Sequence, residues 1–208
     1  MIDTLHNFFQ NHLSTNPYNH IMDVEFYNEA ALQFKLGYYL NKKFSESKNI
    51  SIDIERNVKD LGYEKDLLKS EMDIVLRNEN EKTLDIIEIK NPPINSGDKR
   101  LNKMNQAFKD IRFLEELSEA NKNSRYRINS LTFLFFINNC GKKVKNYKHP
   151  WNHSTRYRTN PFSLGQISEN NQYDFIDERY ILKNTYNNLN WFPKHNNSNF
   201  YYFMLTVE

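Results

Sequence analysis

Leu84-Asp85-Ile86-Ile87-Glu88-Ile89-Lys90 is the stretch whose reading decides the fold. Four of its residues are leucine or isoleucine, and they fall on both faces of an extended chain. A run of this kind belongs to a strand covered on both sides, as in a sheet with helices packed on either face. Glu88 and Lys90 stand at its end, one pleat apart, and point the same way because side chains alternate along a strand. A charge in that position costs several kcal/mol unless it is paired or bound. An exposed ion pair on an edge strand would be the ordinary alternative, but Ile86, Ile87 and Ile89 argue against a solvent-facing edge.

Working upstream, Met72-Asp73-Ile74-Val75-Leu76 reads as a second nearly apolar strand and the hairpin partner of the first. Ile50-Ser51-Ile52-Asp53-Ile54-Glu55 alternates and reads as a third. Before it, Glu29, Leu32, Leu36 and Leu40 recur at helical spacing, which predicts an amphipathic helix over Asp23 to Phe44 with Glu29 at the head of its buried stripe. Downstream, Pro92, Pro93 and Gly97 break the pattern. A second helix runs from about Lys99 to Glu119, with Met104, Phe108, Ile111, Leu114 and Leu117 on one stripe. Leu131 to Ile137 is a buried strand, and Phe200 to Leu205 a last strand at a sheet edge. Strand, helix, strand in succession predicts an α/β fold: a mixed central sheet flanked by helices.

Composition bounds the function classes. The chain has 208 residues, 38% hydrophobic and 26% charged, enough to bury a core without staples. Its single cysteine, Cys140, excludes a disulfide scaffold and a Cys-rich zinc module. No apolar run approaches a membrane span. Met1-Ile2-Asp3-Thr4-Leu5-His6 shows no basic segment followed by an apolar one, so a cytoplasmic, reduced protein is expected. Five glycines, none in a phosphate-cradling spacing, argue against nucleoside triphosphate hydrolysis. The net charge of +2 conceals an asymmetry: residues 120–168 hold nine Lys and Arg and no Asp or Glu, leaving −7 for the rest. Lys142, Lys143, Lys145, Lys148, Arg156 and Arg158 there are interleaved with Tyr147, Trp151 and Tyr157. Cations and aromatics so mixed can track a phosphate backbone and stack on bases, although a solvated basic face and a core role for Trp151 account for the same residues.

Asp73 and Glu88, on adjacent strands, can together hold a hard cation such as Mg²⁺, which takes oxygen ligands. Lys90 beside them can orient or activate water and offset charge growing on a phosphate. Gln106 and Asp110 lie on the second helix, and Gln106 can contact a phosphate. Glu55 competes for the same cleft, with a surface ion pair its commoner fate.

On Glu29, on Asp73 within Ser70-Glu71-Met72-Asp73-Ile74-Val75, and on Glu88-Ile89-Lys90, the chain resembles the PD-(D/E)XK, or restriction-endonuclease-like, nuclease superfamily. The resemblance covers residues 23–140 and implies an αβββαβ core. It implies that Asp73 and Glu88 ligate Mg²⁺, with Mn²⁺ a possible substitute, that Lys90 orients or activates water, and that Glu29 is an outer ligand or support. Met72 stands where the signature has proline. Residues 1–22 then form a peripheral arm or short helix, and residues 141–208 a basic aromatic loop and C-terminal strand of the same domain. The activity implied is Mg²⁺-dependent phosphodiester hydrolysis, with DNA expected over RNA and an endonuclease of bacterial or phage defence or DNA processing. A symmetric dimer would suit cutting two strands. The rival readings are a non-catalytic nucleic-acid-binding or interaction module and an RNA nuclease.

Overall fold

Strand β3 (Thr83–Lys90) lies in the middle of a five-stranded sheet of order β1-β2-β3-β4-β5. In the computed structural model, which describes residues 1–13, 28–47, 49–63, 66–91, 99–120, 124–138, 177–186, 192 and 200–208, the other strands are β1 (Ile50–Asn57), β2 (Glu71–Asn78), β4 (Arg127–Asn138) and β5 (Phe200–Val207). β1, β2 and β3 pair antiparallel, as do β4 and β5, whereas β3 and β4 are parallel. The turn at 79–82 is short enough only for an antiparallel return. A parallel neighbour requires a crossover of a dozen residues or more, and helix α3 (Lys99–Ala120) lies within it. The protein is α/β with a mixed sheet, as its apolar patterning predicts.

Two cores sandwich the sheet. On one face Leu84 and Ile86 of β3 pack with Phe108, Ile111, Leu114 and Leu117 of α3. On the other, Ile87 and Ile89 pack with Leu32, Leu36 and Leu40 of helix α2 (Glu29–Phe44) and with Leu5, Phe8 and Phe9. The last three belong to helix α1 (Ile2–Asn7) and to the π-helical turn that continues it, Phe8–Leu13. This N-terminal segment packs into the core: Phe9 is fully buried and stacks on Tyr202 of β5 with ring centroids 4.1 Å apart, while residues 14–22 lie outside the described ones.

The helix expected over Asp23 to Phe44 begins only at Glu29. Asn28 is extended (φ −140°, ψ 168°) and its side-chain oxygen accepts from the Ala31 amide at 2.8 Å. An asparagine that satisfies an otherwise orphaned amide terminates the helix there; residues 23–27 lie outside the described ones. The cap fixes where Glu29 sits. Asn28→Ala is expected to cost about 1 kcal/mol in chemical denaturation and Asn28→Asp almost nothing; equal stability of all three would contradict the cap.

On the α3 side, a segment far along the chain is strapped down by one buried carboxylate. Glu115 accepts from the amides of Lys183 and Asn184, both at 2.9 Å, and from the Tyr186 hydroxyl at 2.9 Å. Arg112 donates to it at 3.3 Å. The phenol of Tyr186 is pushed well above its ordinary pKa, by burial first and then by the Glu115 charge.

β1 is a margin with an interruption. Its ladder to β2 pairs Ile54 with Ile74 and Arg56 with Met72, keeping register but skipping Glu55. Glu55 is exposed and takes φ +54°, a left-handed conformation rare for a side chain of this size. Among the described residues, no helix is long and apolar enough to cross a membrane.

Candidate functional site

The ladder between β2 and β3 runs from Asn78 opposite Thr83 to Ile74 opposite Ile87. The next pair would be Asp73 and Glu88, and there the backbone pairing stops. Their carboxylates take over the bonding. Asp73 Oδ2 accepts from the Ile89 amide at 2.7 Å, and Glu88 Oε1 accepts from the Asp73 amide at 3.4 Å. Gln33 of α2 donates to the Asp73 carbonyl at 3.3 Å. Two strands that part, with acids bridging the gap, leave their charged side chains between the helix layers rather than within the ladder.

Lys90 follows on the same face. Its ammonium lies 2.9 Å from Asp110 Oδ2 of α3 and 3.2 Å from Glu29 Oε1 of α2. The second oxygen of Glu29 accepts from the Asn91 amide at 3.1 Å. Helices from opposite faces of the sheet thus meet at the C-terminal end of β3 and grip one lysine between them. Glu29, Asp73, Glu88 and Lys90, singled out in the sequence, are all part of this one cluster.

Two further members join them, Asp110 and Lys69. Asp110, which the sequence places on the second helix without a role of its own, shares a stripe with Ala107, Leu114 and Leu117, all buried. A carboxylate on an apolar stripe is a signal of the kind that singled out Glu29. Lys69 carried no signal: it lies in the irregular 66–70 segment before β2, where no periodicity applies. Its ammonium bonds Glu88 Oε2 at short range and lies 3.2 Å from Asp110 Oδ1 and 3.7 Å from Asp73 Oδ1. Gln106 is exposed, and the α3 residue that reaches the cluster is Asp110, one turn on. Glu55 is on the exposed margin of β1. Lys142, Lys143, Lys145, Lys148, Arg156 and Arg158 lie outside the described residues.

Burial governs the electrostatics. Glu88 is fully buried, and desolvation reinforced by the Asp73 charge pushes its carboxyl well above the ordinary range against the pull of Lys69. For Lys69, burial works against the charge, but Glu88, Asp110 and Asp73 outweigh it and raise its pKa. Lys90 is raised in the same way by Asp110 and Glu29. Asp73 is pushed from 3.8 to about 6, by burial above all, with Lys69 and the Ile89 amide partly restoring it.

Because the folded value exceeds the unfolded one, ionising Asp73 opposes folding. Its contribution is intact below about pH 4 and is lost as pH rises through about 6. The loss amounts to about 3 kcal/mol. In cation-free protein, the Asp73 carboxyl carbon is expected to titrate by NMR with a midpoint near 6. A midpoint at or below 4 would show that Lys69 and the backbone amide dominate instead.

The donor set suits a hard divalent ion in its chemistry. Asp73, Glu88 and Asp110 each place a carboxylate oxygen within 3.7 Å of a single point, and Mg²⁺ and Mn²⁺ favour such all-oxygen surroundings. That point is the Lys69 nitrogen. As the side chains stand, no group of three or more carboxylate, imidazole or thiol side chains among the described residues is set to hold a metal ion. No protein family, curated protein or solved structure matches the chain.

Proposed function

We propose that this protein is a divalent-cation-dependent nuclease of the PD-(D/E)XK type, hydrolysing phosphodiester bonds in DNA. The observation that carries the reading is the convergence of Asp73, Glu88, Lys90 and Glu29 at one end of a central, otherwise apolar strand. The element order α2, β1, β2, β3, α3, β4 agrees with the αβββαβ core that the resemblance implies. A Glu and Lys buried at 0% and 6% exposure are expensive for stability alone, and such expense is typical of functional sites.

Asp73 and Glu88 would hold the cation, which when bound would polarise the scissile phosphate and acidify a water. Lys90 has the donor role. Its ammonium is positioned by Asp110 and Glu29 to orient the attacking water and to offset charge gathering on the phosphate oxygens. Glu29 acts through Lys90 and through the Asn91 amide, fixing the end of β3. Asp73, Lys69 and Glu29 are the partly exposed members of the cluster, at 16%, 18% and 32%, and so mark the side from which a strand would approach. The resemblance favours DNA over RNA; the Lys142–Arg158 basic run is the proposed grip on the strand, and a defence or DNA-processing endonuclease, cytoplasmic and dimeric, is the setting it suggests.

The second reading is a nucleic-acid-binding module without catalysis, and one observation favours it: the Lys69 ammonium stands where a cation would. Incubating the purified chain with circular single-stranded DNA, circular duplex, linear duplex and a structured RNA, in Mg²⁺, Mn²⁺ or EDTA, separates the two. Cation-dependent cutting of the circles is the expected result. Retention of all four substrates uncut at every condition, with binding intact, would leave the module reading.

A further inference from the structure

We propose that Lys69 is a built-in competitor for the cation position, so that a divalent ion loads this site only by displacing the lysine's ammonium. The inference rests on the functional reading above and concerns how that site is regulated. Oxygens from three separate elements, β2, β3 and α3, converge on the Lys69 nitrogen. A fourth neighbour is the Phe113 ring, whose centroid is 5.5 Å away and which favours a cation over its face. In the cation-free chain the ammonium does what an ion would do: it offsets three carboxylates that would otherwise repel one another in buried surroundings.

An ammonium and a divalent ion cannot share that point. Mg²⁺ sits at roughly 2.0–2.1 Å from its oxygens and an ammonium at roughly 2.7–2.9 Å, so the same oxygens serve one or the other. The backbone on either side of Lys69 is held: the Leu68 amide donates to Glu116 at 2.9 Å, and the Ser70 carbonyl accepts from Val58 at 2.9 Å. Movement therefore belongs to the four-carbon side chain, which is 18% exposed. Displaced but still tethered, the ammonium remains at the mouth of the site, where the phosphate of an incoming strand is its natural new partner. Loading of the cation and binding of the strand would then favour each other, because each relieves a charge the other leaves unpaired.

Mn²⁺ binding to the full chain without nucleic acid tests this, read by calorimetry on wild type, Lys69→Met and Lys69→Arg. Lys69→Met is expected to bind Mn²⁺ more tightly by on the order of 10-fold or more, the scale on which neighbours of a ligand set tune affinity, and Lys69→Arg no more tightly than wild type. Equal or weaker binding by Lys69→Met would overturn the proposal and leave Lys69 as a structural counter-ion. Since Lys69→Met exposes three carboxylates to one another, its melting temperature is followed through the same titration. Stabilisation by Mn²⁺ larger than that of wild type supports the competition, and stabilisation no larger overturns it. Tighter Mn²⁺ binding by Lys69→Met with no cutting of any nucleic acid would sink the nuclease reading alone. Cutting by wild type with unchanged Mn²⁺ affinity in the variant would sink this inference alone.

Discussion

Glu88→Gln is expected to lower cation-dependent cleavage by roughly 10²–10³-fold or more, the scale of removing one principal electrostatic group from a reacting centre. The same change is expected to leave stability within about 1 kcal/mol of wild type or to raise it, because Gln keeps the volume while removing a charge from a position where ionisation is opposed by burial and by Asp73. The amide oxygen can still accept from Lys69, and the amide nitrogen then replaces only the oxygen that meets the Asp73 amide at a long 3.4 Å. Loss of cutting together with an unshifted or raised melting temperature is therefore the signature of a carboxylate kept for chemistry. Undiminished cutting would remove Glu88 from the site. Loss of cutting alongside a large fall in stability would mean that Glu88 holds the sheet together.

Glu115→Ala should behave in the opposite way. It touches none of the cluster, but its removal leaves the Tyr186 hydroxyl without its acceptor in a buried setting and the Lys183 and Asn184 amides without theirs in part-buried ones. Stranding one buried donor and breaking the largely buried pair with Arg112 costs about 3 kcal/mol, which for a chain of this size is a fall in melting temperature of roughly 10 °C. A fall below about 1 kcal/mol would mean that water replaces the carboxylate and that the strap is not anchored there. The two variants together separate what the fold needs from what the site needs.

Much of this was legible in the residues. β2, β3, β4 and β5 fall where apolar runs predict them, and α3 ends within a residue of the predicted Glu119, because burial on a sheet face imposes a pattern that the solvent-exposed residues do not share. Glu29, Asp73, Glu88 and Lys90 were legible as charges interrupting such patterns. Asp110 and Glu115 interrupt the α3 stripes in the same sense, and they meet opposite fates: one joins the cluster and the other pins a strap. Nothing in the local sequence separates those fates, since the partner decides each. Lys69 was not legible at all. Its partners lie 4, 19 and 41 positions away on three elements, and an irregular segment offers no face to be interrupted.

The left-handed Glu55 bears on something different, the behaviour of the molecule at high concentration. An outermost strand with an unbroken rhythm of amides and carbonyls is a template on which a second copy can grow. In β1 that rhythm fails at Glu55, with Asp53 and Arg56 adding charge on either side. At the opposite margin, Phe192 exchanges both backbone bonds with Tyr202 of β5, each at 2.8 Å, so the chain itself takes up part of the space a foreign strand would need. One border of the sheet is a poor mould for fibre growth because it is interrupted, the other because it is already partly filled.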